Sequence, residues 1–483
     1  MKKKKLKVFK NVSTERFDDQ QKNDLEIADT YVQHHGMPKT RREFLASGLK
    51  ASAAYIMAPS VLNVALSSMA EAAGCASATG PVLPAAVVVD GVNGFSVAGN
   101  FVFMNKGDIP LASYNRMGLG STGSFNVDQT FGATGGNFAT ISGILAGIQA
   151  NATPATLANV ACLGIATRSG DDSANNELDI SGMLSEVLAG DFLPVVGRNR
   201  NQPANVPKPA PLQVSGHDDV EAAVSVKGSI TNMSAGAKNS LFSAITRLNS
   251  SQARKLSSVS GGDALGQLAK ESSTTNLELV SGSGGSTSIN PLDDAAFSNV
   301  YGINNNNINN GIGGEASAVY NALKGNATMC NITVGGCDYH GNGRVNQDAK
   351  DNQIGTKIGR VLESARILNR PTFVMLTTAG STGHALSNVP GAPPTSDDGT
   401  KSGIICFFYH PTKKPDQRAR QLGHFTDNQG AETSTAVGGS PMKGVTAAVV
   451  NYLTFAGRPD LISKITRNTF STADLEKIKV VFG

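Results

Sequence analysis

Residues 332–342 read Ile332-Thr333-Val334-Gly335-Gly336-Cys337-Asp338-Tyr339-His340-Gly341-Asn342. The first three are apolar or β-branched and suit a strand, which the paired glycines break. Downstream, Ile354, Ile358, Val361, Leu362, Ala365 and Leu368 recur at helical spacing, and Pro371 to Thr378 form the next β-prone run. Strand, Asp-x-His loop, long helix, strand is a βαβ unit, whose crossover should be right-handed. An Asp and a His two residues apart at a strand's carboxyl end lie where α/β proteins keep their ligands. A carboxylate oxygen and an imidazole nitrogen so placed can share a divalent metal or relay a proton. The same pair is equally a turn residue beside a solvated histidine.

Upstream, Ala85-Ala86-Val87-Val88-Val89-Asp90-Gly91 predicts a strand buried on both faces, with Asp90 at its carboxyl end as a functional Asp or an Asp-Gly turn. Phe138, Ile141, Ile144, Leu145 and Ile148 predict a helix within 132–149, followed by a strand over 158–166. The polar loop from Thr167 to Ser173 precedes a helix that turns Leu178, Met183, Leu184 and Val187 inward. Its Asp171 and Asp172 suit a cation or plain helix capping. Prolines mark 198–216 as a connection, 234–258 reads as a helix, and the Ser- and Gly-rich stretch 257–290 and the asparagine tract 304–310 read as mobile loops. After the opening unit come Ser381 and His384, a loop with Asp397 and Asp398, a strand from Gly403 to Tyr409 and a helix around 445–455. The fold class is α/β: a mostly parallel central sheet flanked by helices, with an inserted helical and loop-rich region at about 200–330.

The chain has 483 residues, 17% of them charged, with 53 glycines and no Trp. Its formal charge of +4 comes from the first 72 residues, which hold 12 Lys and Arg against 8 Asp and Glu. The remainder is neutral, which gives no electrostatic reason to expect a nucleic-acid partner. Five cysteines without a Cys-x-x-Cys pair exclude a disulfide scaffold and a structural zinc knuckle. Cys330 and Cys337 flank one strand, too far apart along extended chain to pair with each other.

Residues 1–39 are polar and read as a mobile extension. The stretch 40–74 resembles a twin-arginine signal peptide: Arg41-Arg42, then Phe44 and Leu45, a weakly apolar Ala- and Ser-rich region, and an Ala70-Glu71-Ala72 cleavage site. Cys75 closes a degenerate lipobox, Ala72-Ala73-Gly74-Cys75, that would carry a lipid anchor. The resemblance implies the twin-arginine export machinery as a partner, folding before export, and a periplasmic or extracellular destination for 75–483.

Taken in order, these motifs resemble an uncharacterised, twin-arginine-exported bacterial family related to the alkaline phosphatase and sulfatase superfamily. Asp90-Gly91-Val92-Asn93 matches the family's Asp-Gly-Leu-Asn, and Gly336-Cys337-Asp338-Tyr339-His340 its Gly-Trp-Asp-Thr-His. Asn451-Tyr452-Leu453-Thr454 and Val480-Val481-Phe482 resemble its last helix and tail. The resemblance implies metal-assisted transfer or hydrolysis of phosphate or sulfate esters, with Asp90, Asp338 and His340 as ligands of a divalent metal ion. Asp397 and Asp398 are weaker candidates.

The chain also departs from that pattern. Thr378-Ala379-Gly380-Ser381-Thr382 stands where the family has Ser-Glu-Phe-Gly-Arg, and Ser396-Asp397-Asp398-Gly399 lacks the histidine of Thr-Asp-His-Gly. His384, His410 and His424 are the histidines left to substitute. Ser96 and Ser381 are the nucleophile candidates. A second reading is a catalytically inactive binding or assembly protein that keeps the fold and self-associates or docks an envelope partner. A third, an oxidoreductase loaded with a cofactor before export, has no dinucleotide or haem motif behind it.

Overall fold

The computed structural model describes residues 83–92, 94–102, 128, 130–132, 136–169, 178–187, 196–197, 213–224, 288–327, 329–337, 343–378, 380–384, 394–397, 399–426, 430–466 and 469–483. The twin-arginine stretch, Cys75, the Asp-x-His pair, Asp171, Asp172, Asp398 and the 234–258 helix lie outside the described residues.

The fold is α/β, with a seven-stranded mixed sheet. Its strands are β1 (Ala85–Gly91), β2 (Val160–Ala166), β3 (Val196–Gly197), β4 (Met329–Val334), β5 (Thr372–Thr378), β8 (Gly403–Tyr409) and β10 (Gln421–Leu422), in the order β10-β2-β8-β5-β1-β4-β3. Only β8 runs antiparallel to its neighbours. Two small two-stranded sheets lie apart: β6 (Thr382–His384) with β7 (Pro394–Asp397), and β9 (Asp416–Gln417) with β11 (Val481–Phe482).

The helices are α1 (Val97–Asn100), α2 (Gly143–Asn151), α3 (Pro154–Leu157), α4 (Ser181–Val187), α5 (His217–Val224), α6 (Ala295–Tyr301), α7 (Gly311–Lys324), α8 (Gly343–Ile367), α9 (Pro441–Phe455), α10 (Ile462–Thr466) and α11 (Thr472–Ile478). Strands β1, β2, β5 and β8 are buried along their whole length, which explains why they read as unbroken apolar runs. Alternation then divides their side chains between two cores. Val87, Val89, Val374 and Leu376 pack with α2, α7 and α8. Ala86, Val88, Phe373 and Met375 pack with α4 and α9 on the opposite face.

Strand β1 is the pivot. It pairs with β4 on one side and β5 on the other, so the β4–α8–β5 unit crosses over it. From β1 the chain runs through α2 to β2, beyond β5 and β8, and from β2 it returns to β3 on the far edge. The end of β1 is thus a topological switch point.

Two expectations are corrected. The apolar spacing from Phe138 predicts one helix, but helix α2 begins only at Gly143, where Ser142 accepts the Leu145 N–H as N-cap. Phe138 instead bridges to Phe101 in extended conformation, and Ile141 is 41% exposed. The asparagine tract is a hydrogen-bonded cap rather than a loose loop. Asn310 Oδ1 accepts from Ile312 N and Gly313 N at the start of α7, and Asn309 exchanges two 3.1 Å hydrogen bonds with Asp218 on α5. Asparagine side chains mimic backbone turns, so a run of them can wind as readily as it can dangle.

The tail is fixed from α9. Asn451 donates to Ala447 O and Ile478 O and accepts from Val480 N and Val481 N, while Thr454 Oγ1 donates to Val481 O. The two carboxyl-terminal sequence features are therefore one structural unit. Among the described residues no helix is long and apolar enough to cross a membrane.

Candidate functional site at the carboxyl edge of the sheet

Three loops meet where β1, β4 and β5 end. Thr378 Oγ1 donates to Gly91 O at 2.9 Å, Val92 N donates to Val334 O at 3.0 Å, and Cys337 N donates to Val92 O at 3.1 Å. The residue immediately before Asp338 is thereby hydrogen-bonded two residues beyond Asp90. Gly94 has φ +86°, and a Cβ there would press on the backbone of Gly380 at 3.3 Å, so the β1 and β5 loops touch main chain to main chain.

Asp90 is fully buried at this edge. The register sets it between Thr333 of β4 and Thr377 of β5, with all three on one face of the sheet. Asn331, two residues before Thr333, shares that face. Thr333 Oγ1, Thr377 Oγ1 and Asn331 Oδ1 are buried without a hydrogen-bond partner among the described residues. Ser402 Oγ, just before the amino end of antiparallel β8 and so at the same edge, is also buried without one. Buried polar atoms are ordinarily satisfied; Thr333 and Thr377 flank the buried carboxylate directly, Asn331 of β4 lies level with Val88, and Ser402 stands two strands away before β8. β-branched threonines also pass as ordinary strand residues, and nothing in the sequence singled out Thr333, Thr377, Asn331 or Ser402.

The other expected site residues fall differently. Ser381 Oγ donates to Phe95 O at 3.0 Å and accepts from Val97 N at 3.2 Å, and its residue is 1% exposed. Ser96 is the N-cap of α1, its Oγ accepting from Gly99 N at 3.1 Å, and it is fully buried. Both hydroxyls hold the loop after β1. The backbone of Asp397 lies in β7, paired with Thr382, and His384 ends β6. His410 follows β8 and bonds Thr412 through Nδ1; burial, with Lys413 nearby, lowers its pKa. Among the described residues no three His, Cys, Asp or Glu side chains gather into a metal-binding group.

No family model matches the sequence, nor does any curated protein or solved structure.

A cationic hollow of about 370 Å³ opens at the same edge, lined by Arg168 after β2, Thr400 and Lys401 before β8, and Thr426, Glu432 and Thr433. Arg168 Nε is buried without a hydrogen-bond partner among the described residues. The carboxyl edge thus carries acceptors around Asp90 and cationic donors towards β2.

The four described cysteines, Cys162, Cys330, Cys337 and Cys406, are buried free thiols. Burial pushes the Cys162, Cys330 and Cys406 thiols well up, which keeps them protonated and inert. Cys406 pairs in register with Leu163, so Cys162 and Cys406 fall on opposite faces of the sheet and in different cores.

Proposed function

We propose that the chain is an exported protein of the alkaline phosphatase-like type that binds a divalent cation at the carboxyl edge of its sheet and acts on phosphate or sulfate esters. One observation carries this reading: the buried carboxylate of Asp90 at the switch point, set among the unsatisfied oxygens of Thr333, Thr377 and Asn331. Hard oxygen donors of this kind suit magnesium, calcium or manganese, and a histidine such as His340 would extend the range to zinc. Asp338 and His340 complete the proposed ligand set. A cation held there offsets negative charge on the transferred group. Asp90 anchors the site rigidly because it is built into the central strand rather than a loop.

The test is elemental analysis of protein recovered after native export, with Asp90→Asn and Asp338→Ala beside it. Near-stoichiometric metal in the wild type that is lost in both folded variants supports the reading and directs a screen of phosphate and sulfate esters. Metal-free wild-type protein, or metal retained in both variants, overturns it. Export is tested by Arg41→Lys with Arg42→Lys, which should strand the chain in the cytoplasm.

A second reading is favoured by the engagement of Ser96 and Ser381 in structural hydrogen bonds. It is a catalytically inactive binding or assembly protein that retains the fold. Stable self-association of metal-free protein would select it.

A further inference from the structure

On the opposite face from Asp90, towards the β4 edge, α7, α8 and β4 enclose a hollow of about 240 Å³. Its apolar wall includes Ile312, Ala318 and Ile332, and three charged side chains enter it: Glu315 from α7, with Lys357 and Arg360 from α8. Glu315 Oε2 pairs with Lys357 Nζ. Its second oxygen, Oε1, is buried and has no hydrogen-bond partner among the described residues, and the same is true of Arg360 Nε. The Arg360 guanidinium lies over the Tyr301 ring, 5.7 Å from its centroid, and forms no ion pair among the described residues.

Lys357 and Arg360 share the hollow with one carboxylate, so among the described residues it has an excess of one positive charge. Among its charged side chains one buried acceptor and one buried donor remain unsatisfied, and leaving such groups unmade is costly. Its volume is below the roughly 300–1,000 Å³ of clefts that take drug-sized ligands. We infer that this hollow is a binding site for a small α-amino or α-hydroxy acid. The ligand's carboxylate meets Arg360 and the free N–H groups of Lys357, its ammonium or hydroxyl donates to Glu315 Oε1, and its short side chain lies against Ile312 and Ala318. Such a molecule satisfies donor, acceptor and apolar wall together, and a hydroxy acid, with its net charge of −1, also offsets the excess positive charge. A bare carboxylate leaves Glu315 Oε1 unmet, and a bare amine leaves Arg360 unmet. The hollow also borders Asn331 and Thr333 of β4, so it adjoins the proposed metal site through that strand, but its charged groups, Glu315, Lys357 and Arg360, belong to α7 and α8 and take no part in the metal reading.

The test is a thermal-shift and calorimetric titration of the exported protein with L-alanine and L-lactate. Propionate and propylamine serve as single-function controls at matched ionic strength. The expected result is saturable binding of L-alanine, L-lactate or both, with the two controls at least about tenfold weaker, the ratio set by one charge-assisted hydrogen bond. Arg360→Gln, checked for an unchanged circular dichroism spectrum, should weaken that binding by a further tenfold or more. Lys357→Gln serves the same purpose if the first variant fails to fold. Alanine binding alone assigns an amino acid, and lactate binding alone a hydroxy acid. Binding of neither, binding matched by propionate, or binding unchanged in the folded variants overturns the inference.

Discussion

Asn100, at the end of the short helix after β1, donates its side-chain N–H to Asp351 Oδ2 in the long crossover helix at 2.7 Å. Both residues are 1% exposed. Asn100 also donates to Ser96 O and accepts from Ser142 Oγ, while Gln347 donates to the same Asp351 oxygen at 3.4 Å. The network joins the loop that leaves Asp90 to the helix that follows the Asp-x-His segment. Asn100→Ala should cost roughly 3 kcal/mol or more, because it removes a donor from a buried carboxylate. Urea denaturation at neutral pH measures it, and a loss under about 1 kcal/mol would show that water readily replaces the amide.

The crossover helix α8 lies against α2 at glycine contact. A Cβ on Gly147 would stand 2.4 Å from Asn352 O and 2.6 Å from Thr356 N, and one on Gly355 would stand 2.0 Å from Ile144 O. Gly143 and Gly359 are similarly close to the opposing helix. These obstacles are main chain and cannot swing aside. Gly147→Ala should therefore destabilise by about 1–3 kcal/mol even after the roughly 1 kcal/mol that alanine gains in a helix. Gly311→Ala, where the added methyl meets nothing within 4 Å, should show the opposite sign. Paired melting curves of the two variants decide the matter.

These contacts show what the sequence made legible and what it hid. Runs such as Val87-Val88-Val89 and Ile404-Ile405-Cys406-Phe407-Phe408 suggest buried strands, and β1, β5 and β8 fall where apolar content puts them. The spacing of Gly143, Gly147, Gly355 and Gly359 carried the α2–α8 crossing, but in a chain with 53 glycines the signal was lost. Phe138 misled because an aromatic in an extended bridge has the same local composition as one on a helix. Asn451 stands in a motif legible in the sequence, whereas its reach to Val480 and Val481 depends on tertiary packing that no local pattern encodes. The hydroxyls around Asp90 were invisible for the same reason: threonine is favoured in strands whether or not its oxygen is used.

Glu363 on α8 supplies a pH dependence. Burial raises its pKa, but hydrogen bonds from Thr153 N, Thr156 Oγ1 and Arg366, with the charge of Arg366, outweigh burial and hold it below its ordinary value. The folded carboxylate therefore stays ionised to lower pH than the unfolded one. Its stabilisation is full above the ordinary carboxylate range and is lost as the pH falls through the lowered folded value. Glu363→Gln should cost about 1–2 kcal/mol at pH 7, with the gap to wild type closing under acid conditions. Urea titrations of both proteins across that range measure it, and a gap independent of pH would assign the effect to packing.

Ser381 is either an attacking group or a structural anchor, and the two roles predict different losses. Its hydroxyl joins Phe95 O to Val97 N, and its removal leaves two buried backbone groups unmet at a cost of about 1–3 kcal/mol. A nucleophile would behave otherwise, since its loss abolishes turnover without necessarily lowering stability. Ser381→Ala should therefore lower the melting temperature while leaving metal content, and any ester turnover per folded molecule, within a few-fold of wild type. Turnover abolished at unchanged stability would instead make Ser381 the attacking group, and the hydrogen bonds to the β1 loop would be its means of orientation.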